Sequence, residues 1–497
     1  MHFPIINGKI VRQVLSSACS QCSRVNREVI GILTYSLSED RSDPLYEQLF
    51  RALKTDILSG RIQPGERLPS RRTLSENLGI SVITVEAAYE RLMDEGYVFS
   101  EPKRGFFVSD FIPQTSPAPT FPVDGIHPPE QPRADMVALS SNHAQVGSFP
   151  FSVWARLLRE TINEVGEALL RPSPCGGIEP LREAIAAHLA SFRGMNVYPQ
   201  QIIVGAGTEY LYGLLLLLLG RDRIYCLEDP GYQKISQIYL SNGADCRWAA
   251  MDSSGITVPG IEASGADVIH ISPTHHFPTG ITMPISRRYE LLNWACREPG
   301  RYIIEDDYDS EFRLTGRPIP SLQSIDEHGR VIYMNTFSKT LAPTIRISYM
   351  VLPPSLANEY YQRLSFYSCT VSTFEQYTLA RFISGGYFEK HINRMRLSYA
   401  RLRKQVLTEI AESGLSSRIT VLENDSGLHF LLKLQTEMGD DMLVSALNER
   451  GISFLPLSLY CRNPADAPPH TFILNYSSLT VSDLRLALNV LEELIGN

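Results

Sequence analysis

A lysine stands at position 339 in the stretch Thr336-Phe337-Ser338-Lys339-Thr340-Leu341-Ala342-Pro343-Thr344-Ile345-Arg346. Apolar runs flank it, Val331 to Met334 before and Ile347 to Leu352 after, so the lysine lies in a loop between two buried-strand candidates. A primary amine held there can form an internal Schiff base with a phosphate-bearing aldehyde. The hydroxyls of Thr336 and Ser338 and the guanidinium of Arg346 can grip the phosphate. An ordinary surface loop can carry the same residues, so the chemistry needs partners elsewhere in the chain.

Three other stretches offer them. Gly205-Ala206-Gly207-Thr208-Glu209 follows the apolar run Ile202 to Val204 and opens a helical stretch. Free amides at a helix N-terminus and a threonine hydroxyl suit a phosphate. As a dinucleotide fingerprint the stretch is weak, because the third glycine is absent. Ile304-Glu305-Asp306-Asp307-Tyr308-Asp309 ends another apolar run. Its four acids can bind a metal or face solvent. Alternatively Asp306 pairs with a protonated pyridine nitrogen, and Tyr308, two residues on, reaches the ring oxygen. Tyr232, in Pro230-Gly231-Tyr232, can stack on such a ring or simply pack as a tyrosine.

These residues must be positioned by a large domain. From about residue 135, apolar runs at 202–204, 224–227, 268–271, 302–304 and 331–334 alternate with helical stretches at 208–219, 232–241 and 287–297. That alternation predicts an α/β fold with a mostly parallel sheet. Residues from about 385 to 497 return to helices and short strands and read as a smaller C-terminal α+β subdomain.

A different pattern precedes it. Leu45, Leu49, Leu53, Ile57 and Leu58 recur at helical spacing and stop at Gly60. Ser70 N-caps a short helix over about 71–78 that ends at Gly79, and Ser81 caps another with Val85, Ala88, Tyr89 and Leu92 on its apolar face. Strands at 97–100 and 106–109 flank the turn Pro102-Lys103-Arg104-Gly105. Three helices and a hairpin predict a winged helix-turn-helix over 39–110, whose basic wing tip can lie along a phosphate backbone. Residues 111–134 hold seven prolines and read as a linker, and residues 1–38 show no sustained period and receive no role.

Composition bounds the remaining classes. The 497 residues are 43% hydrophobic and 20% charged, with a formal net charge of −8, so the whole chain is no electrostatic nucleic-acid binder. Its eight cysteines are scattered, which fits reduced cytosolic thiols, and Cys19-x-x-Cys22 has no second pair at zinc-ligand spacing. The longest apolar run, Leu214 to Leu219, is far too short to span a membrane. A cytoplasmic protein without a metal site is expected.

The N-terminal module resembles the GntR family of bacterial regulators. The resemblance rests on Pro64-Gly65-Glu66-Arg67-Leu68-Pro69-Ser70-Arg71-Arg72, on Leu78-Gly79-Ile80-Ser81 with Thr84-Val85, and on Ala88-Tyr89-Glu90-Arg91-Leu92 with Glu95-Gly96-Tyr97. It implies that Arg72, Thr84, Lys103 and Arg104 touch promoter DNA, within a contact set completed by Ser70, Arg71 and Ser81. The family often carries arginines early in the recognition helix, where this chain has Val82 and Glu86. Residues 39–108 hold ten Lys/Arg against twelve Asp/Glu, so modest monomer affinity is expected, with specificity from a dimer reading paired half-sites.

The rest of the chain resembles the fold-type-I pyridoxal-phosphate aminotransferases. The matching pieces are Gly205-Ala206-Gly207-Thr208, Asp229-Pro230-Gly231-Tyr232, Phe277-Pro278-Thr279-Gly280, Asp306-Asp307-Tyr308 and Thr336-Phe337-Ser338-Lys339 with Arg346. Both halves together resemble a MocR/GabR-type transcription regulator. The resemblance implies pyridoxal 5′-phosphate, with Lys339 as the Schiff-base lysine, Asp306 on the pyridine nitrogen, Tyr308 on the ring oxygen and Tyr232 over the ring. It implies Gly207, Thr208, Thr336, Ser338 and Arg346 at the phosphate, and a head-to-tail homodimer.

Departures from the pattern bear on function. Phe277 stands where many aminotransferases have an asparagine, and Thr344 where a glycine is usual. The late strand Thr471-Phe472-Ile473-Leu474-Asn475-Tyr476 lacks the arginine that typically holds a substrate carboxylate. Lys234 stands where the γ-aminobutyrate sensor has a second arginine. Lys234 and Arg462 remain as candidates for gripping an anionic effector. The expectation is a sensor of an amine, an amino acid or the cofactor itself, with no net turnover.

Overall fold

The computed structural model describes residues 33–38, 43–110, 136–141, 148–313, 319–422 and 427–496. The chain divides into two compact units, Met1–Glu130 and Gln131–Asn497. The arm through residue 32, with Cys19 and Cys22, and the proline-rich linker lie outside the described residues.

The first unit runs α1 (Leu45–Leu58), α2 (Arg71–Leu78), α3 (Val82–Asp94), β1 (Val98–Glu101) and β2 (Gly105–Val108). Ser70 accepts from the Thr73 amide and Ser81 from the Thr84 amide, and each such cap stabilises a helix by ~1 kcal/mol. Between them Gly79 takes a left-handed conformation (φ 67°) that ends α2 without a Cβ penalty. Leu49, Leu53 and Ile57 of α1 meet Val85, Ala88, Tyr89 and Leu92 of α3 in one buried core, which Leu74 and the hairpin residues Val98 and Val108 complete. The Tyr89 ring meets Phe106 edge-on at 4.9 Å, and its hydroxyl donates to the Pro69 carbonyl at 2.9 Å. These contacts fix the hairpin against α3. Residues 33–38 belong to the same unit: Leu33 joins the core, and the Tyr35 hydroxyl donates to Asp56 at 2.8 Å.

The second unit opens with β3 (Val137–Ala138), α4 (Phe151–Val165) and α5 (Glu179–Arg193). Next come β4 (Ile202–Gly205), α6 (Thr208–Leu219), β5 (Ile224–Asp229), α7 (Gln233–Ser241), β6 (Asp245–Asp252), β7 (Gly255–Ile256), α8 (Val258–Ser264) and β8 (Val268–Ile271). They are followed by α9 (Ile285–Arg297), β9 (Tyr302–Asp306), β10 (Val331–Thr336) and β11 (Ser348–Val351). The last part holds α10 (Pro354–Leu364), α11 (Thr373–Ser384), α12 (Tyr387–Glu412), β12 (Ile419–Leu422), β13 (His429–Leu434), α13 (Asp440–Glu449), β14 (Ile452–Ser453), β15 (Thr471–Asn475) and α14 (Val481–Ile495).

Eight strands form one sheet in the order β4-β11-β10-β9-β8-β5-β6-β7. Neighbours from β10 across to β6 are parallel, and β11 runs antiparallel between β10 and β4. The sheet is therefore mostly parallel, as the alternating pattern predicts. Its central strands are apolar without alternation because helices cover both faces. An antiparallel sheet β12-β13-β15 anchors the smaller C-terminal part. The short β3 pairs with β14, and the Asn475 amide donates to the Leu139 carbonyl, so the opening of this unit is held by its end.

Candidate functional site

Ligands in doubly wound α/β sheets bind beyond the carboxyl ends of the strands, where loops converge and helices begin. The parallel strands β4, β5, β8, β9 and β10 here deliver Thr208, Tyr232, Ser272 with Phe277, Asp306 with Tyr308, and Thr336 with Ser338 and Lys339 to one edge. All of these residues, with Lys234, Arg346 and Tyr460, line a single cavity of about 400 Å³.

One end is built for an anion. Gly207 sits at the N-terminus of α6 with φ 93°, and a Cβ there would run into the Arg346 guanidinium. The positive φ favours glycine there, and the missing Cβ leaves room for the guanidinium. Arg346 itself holds a left-handed backbone (φ 50°), an uncommon state for a residue with a side chain and one that marks functional sites. The Thr336 hydroxyl accepts from the Ser338 amide at 3.1 Å and from the Ser348 hydroxyl at 2.8 Å, so it braces the loop that carries Ser338 and Lys339.

Asp306 forms another wall. Its Oδ2 accepts from the Tyr212 hydroxyl at 2.6 Å, with His270 Nε2 at 3.5 Å. Its Oδ1 is buried with no hydrogen-bond partner. A buried carboxylate oxygen left unpaired in a cavity wall is costly and calls for a cationic donor, which a pyridinium N–H is. Tyr308 lines the cavity and donates to the His275 carbonyl at 3.0 Å. The half-exposed Tyr232 meets Phe277 edge-on at 5.9 Å. The residues present thus fit pyridoxal phosphate: an anion cradle, an orphaned acid and a lysine share one cavity.

Desolvation pushes the Lys339 ammonium down to about 8, while Asp309 opposes the shift. A larger share of the amine is therefore neutral at physiological pH than for a surface lysine. The rate at which cofactor-free protein captures pyridoxal phosphate should rise roughly tenfold per pH unit from 6 toward 8 and flatten above, because the neutral amine is the nucleophile. Stopped-flow absorbance at several pH values reads this profile. A flat profile would mean that Lys339 does not attack in the rate-determining step.

The acids after Ile304 are each spent differently. Glu305 accepts from the Leu322 and Gln323 amides at 2.9 and 3.0 Å, Asp307 pairs with Arg193 at 2.7 Å, and Asp309 with His275 at 2.9 Å. Among the described residues no group of three or more His, Cys, Asp or Glu side chains could hold a metal ion.

The two anion-gripping candidates separate. Lys234 lines the cavity, and Glu209 pairs with both it and Arg346. Arg462 is not among the cavity's lining residues. Its guanidinium lies over the Trp248 ring at 4.5 Å. Tyr212, His270, Glu209 and Tyr460 escaped the sequence reading. Only Tyr212 left a signal, standing one helical turn after Thr208 on the same face of α6.

In the first unit Arg72, Lys103 and Arg104 are exposed. Lys103 holds φ 63° at the wing tip. Arg104 pairs with Glu101, its wing neighbour across the turn. Arg71 pairs with Glu86 and lies over the Phe106 ring at 5.7 Å, which ties α2 to α3 and the wing. The Ser70 and Ser81 hydroxyls cap their helices and contact Thr73 and Thr84 at 2.7 Å. Val82 and Ile83 stand exposed at the start of α3.

Residues 45–108 match the family model of bacterial regulatory proteins of the gntR family, and residues 134–491 match aminotransferase class I and II. The chain belongs to the MocR/GabR-type regulators. Among its relatives is the uncharacterized HTH-type transcriptional regulator YdeL of Bacillus subtilis, 37% identical, with the match covering 93% of this chain and 98% of YdeL. The probable rhizopine catabolism regulatory protein MocR of Rhizobium meliloti is 34% identical over 92% of this chain and 94% of its own. Among solved structures, a Pyrococcus horikoshii kynurenine aminotransferase in complex with PMP superposes with a TM-score of 0.63 at 25% identity, over 72% of this chain and 90% of that one. This family joins a GntR DNA-binding module to an aminotransferase fold, and the chain is a transcription regulator of that architecture. Among the described residues no helix is long and apolar enough to cross a membrane.

Proposed function

We propose that this regulator holds pyridoxal phosphate at Lys339, senses an amine, an amino acid or the cofactor itself there, and converts that occupancy into a change in promoter binding. The observation that carries the reading is the unpaired Asp306 Oδ1 in the same cavity as Lys339 and the Gly207–Arg346 cradle. When bound, the cofactor supplies an aldehyde carbon that condenses reversibly with primary amines.

The chain's own residues do the rest. Asp306 would keep the ring nitrogen protonated, with Tyr212 and His270 fixing the carboxylate. Gly207, Thr208, Ser338 and Arg346 would bind the phosphate, and Thr336 would hold their loop in shape. Tyr232 would cover the ring, and Tyr308 would stand at its oxygen. Arg72, Thr84, Lys103 and Arg104 would meet the DNA, with Ser70, Arg71 and Ser81 setting the helix ends that present them. A head-to-tail homodimer acting in the cytoplasm would place two such modules on paired half-sites. Differential contacts of the two ligand states then bias operator binding. The name of the MocR relative, a catabolism regulator, supports a small-molecule signal.

The test is a titration of cofactor-loaded protein with amines and amino acids, read by absorbance of the bound cofactor and then by operator affinity. A ligand that perturbs the spectrum should also change operator affinity at least several-fold, since couplings of 1–3 kcal/mol are usual (about 5–150-fold). Sustained keto-acid production over many turnovers with a second keto acid as acceptor would instead mark a working aminotransferase.

A further inference from the structure

We infer that the ligand exchanged at Lys339 is an apolar primary amine without a carboxylate, an inference that rests on the sensor reading above and narrows it. The cavity has two kinds of wall. One carries Thr208, Glu209, Lys234, Ser338 and Arg346. The other is aromatic and aliphatic. Tyr232, Phe277, Tyr308 and Tyr460 line it. Phe277 packs with Leu431, Leu457 and the fully buried Ile473 in one apolar cluster against Tyr308 and Tyr460. The Phe277 ring lies 5.2 Å from Tyr460 and 5.0 Å from His429, edge-on to both.

The cations decide the matter. Those lining the cavity are Lys234, Lys339 and Arg346. Lys339 is committed to the cofactor carbon and Arg346 to the phosphate. Glu209 faces both Arg346 and Lys234, so with Arg346 on the phosphate its carboxylate remains as the partner of Lys234. On the apolar side β15 places Ile473 in the cluster, and burial drives the His429 imidazolium well below its ordinary range, so that ring brings no charge at pH 7. Arg462 is occupied on Trp248, outside the lining. A ligand carboxylate pressed against Phe277 and Tyr460, with Ile473 packed behind them, would lose its water and gain no counter-charge. An alkyl or aryl group in the same place buries apolar surface favourably.

The step is an exchange of one carbon–nitrogen bond for another. The ligand nitrogen bonds the cofactor carbon, the Lys339 nitrogen leaves it, the hydrogens shed by the ligand nitrogen pass to Lys339, and nothing is oxidised. An amine without a carboxylate offers no carboxylate group to lose, which suits a sensor whose signal must be reversible.

Cofactor-loaded full-length protein titrated with matched pairs tests this: 2-phenylethylamine against L-phenylalanine, and isopentylamine against L-leucine. Binding is read from the bound-cofactor absorbance and from operator affinity. Each amine should bind at least about 30-fold more tightly than its amino acid, because only the latter buries an unpaired carboxylate. Ile473→Arg should narrow or reverse the preference, while Ile473→Leu should keep it. Equal or tighter binding of the amino acids, or no spectral response to either amine from loaded wild-type protein, overturns the inference. A protein that retains no cofactor absorbance at all overturns the underlying sensor reading instead.

Discussion

Lys339→Ala protein, reconstituted with pyridoxal phosphate and desalted, is expected to lose all visible cofactor absorbance, while wild-type protein keeps a stoichiometric amount. Borohydride treatment of the wild type should then fix the cofactor to the peptide that carries Lys339. The expectation follows from how the cavity is divided. Arg346, Gly207 and Asp306 would offer reversible contacts, and Lys339 would offer the covalent one, because the cavity's other lysine, Lys234, is paired with Glu209. Retention through gel filtration depends on the covalent link. Folding does not obscure the result. Lys339 sits half-buried in a loop, and its ammonium is lowered to about 8 by desolvation, so the folded cofactor-free protein disfavours the charge. The sign is worked out by linkage. With a folded value below the unfolded one, stability rises as pH climbs from 8 toward the ordinary lysine range, and below 8 the full penalty applies. Alanine removes that penalty, so the variant's melting temperature at pH 7 should match or exceed that of cofactor-free wild type. A variant that melts normally and still retains the visible band would sink the Lys339 assignment.

Much of this site was legible because its residues lie at strand ends. Apolar runs such as Ile202–Val204 and Val331–Met334 bury both faces and so announce themselves, and the polar residues just beyond them are what a parallel sheet delivers to its carboxyl edge. Strand β6 was not legible, because it runs toward the edge of the sheet and its burial alternates irregularly over Asp245–Asp252. Support from distant residues was also hidden. His270 and Tyr212 converge on Asp306 from β8 and α6, and Tyr460 reaches the cavity from the C-terminal part, over 100 residues away. Such contacts are tertiary, and no local period records them. The pairing of β3 with β14 joins two residues near the start of the unit to two others more than 300 positions later and leaves no pattern either. Thr336 shows a different limit. Its type and spacing suit a phosphate, yet its hydroxyl is taken up by Ser338 and Ser348, and only the folded loop reveals that. Residues 33–38 escaped for lack of length: six residues contribute Leu33 to the core and Tyr35 to Asp56 without completing any period.

Loss of Arg72 and Lys103 together should weaken operator binding by roughly a hundredfold or more. Net charge argues for this size of effect. The module carries more acids than bases, and carboxylates already pair with two of its basic side chains near the DNA-reading elements, Glu86 with Arg71 and Glu101 with Arg104. Few cations then remain to meet phosphates, so each matters more than in a strongly basic module. Arg72 stands exposed on α2, one residue after the Arg71–Glu86 pair, and Lys103 stands exposed at the wing tip. A hydrogen bond to a charged group is worth about 1.5–3 kcal/mol, so two lost contacts per module cost about 3 kcal/mol or more, near a hundredfold. Contacts from both side chains to the phosphate backbone would make the loss similar across operator variants and flatten the salt dependence. Fluorescence anisotropy at two salt concentrations reads affinity and slope together. Arg71→Ala should behave differently: it frees Glu86 at the face of α3 and loosens the α2–α3 junction, so the module's melting temperature should fall along with its affinity. A double variant with unchanged footprint and salt slope would remove Arg72 and Lys103 from the DNA surface.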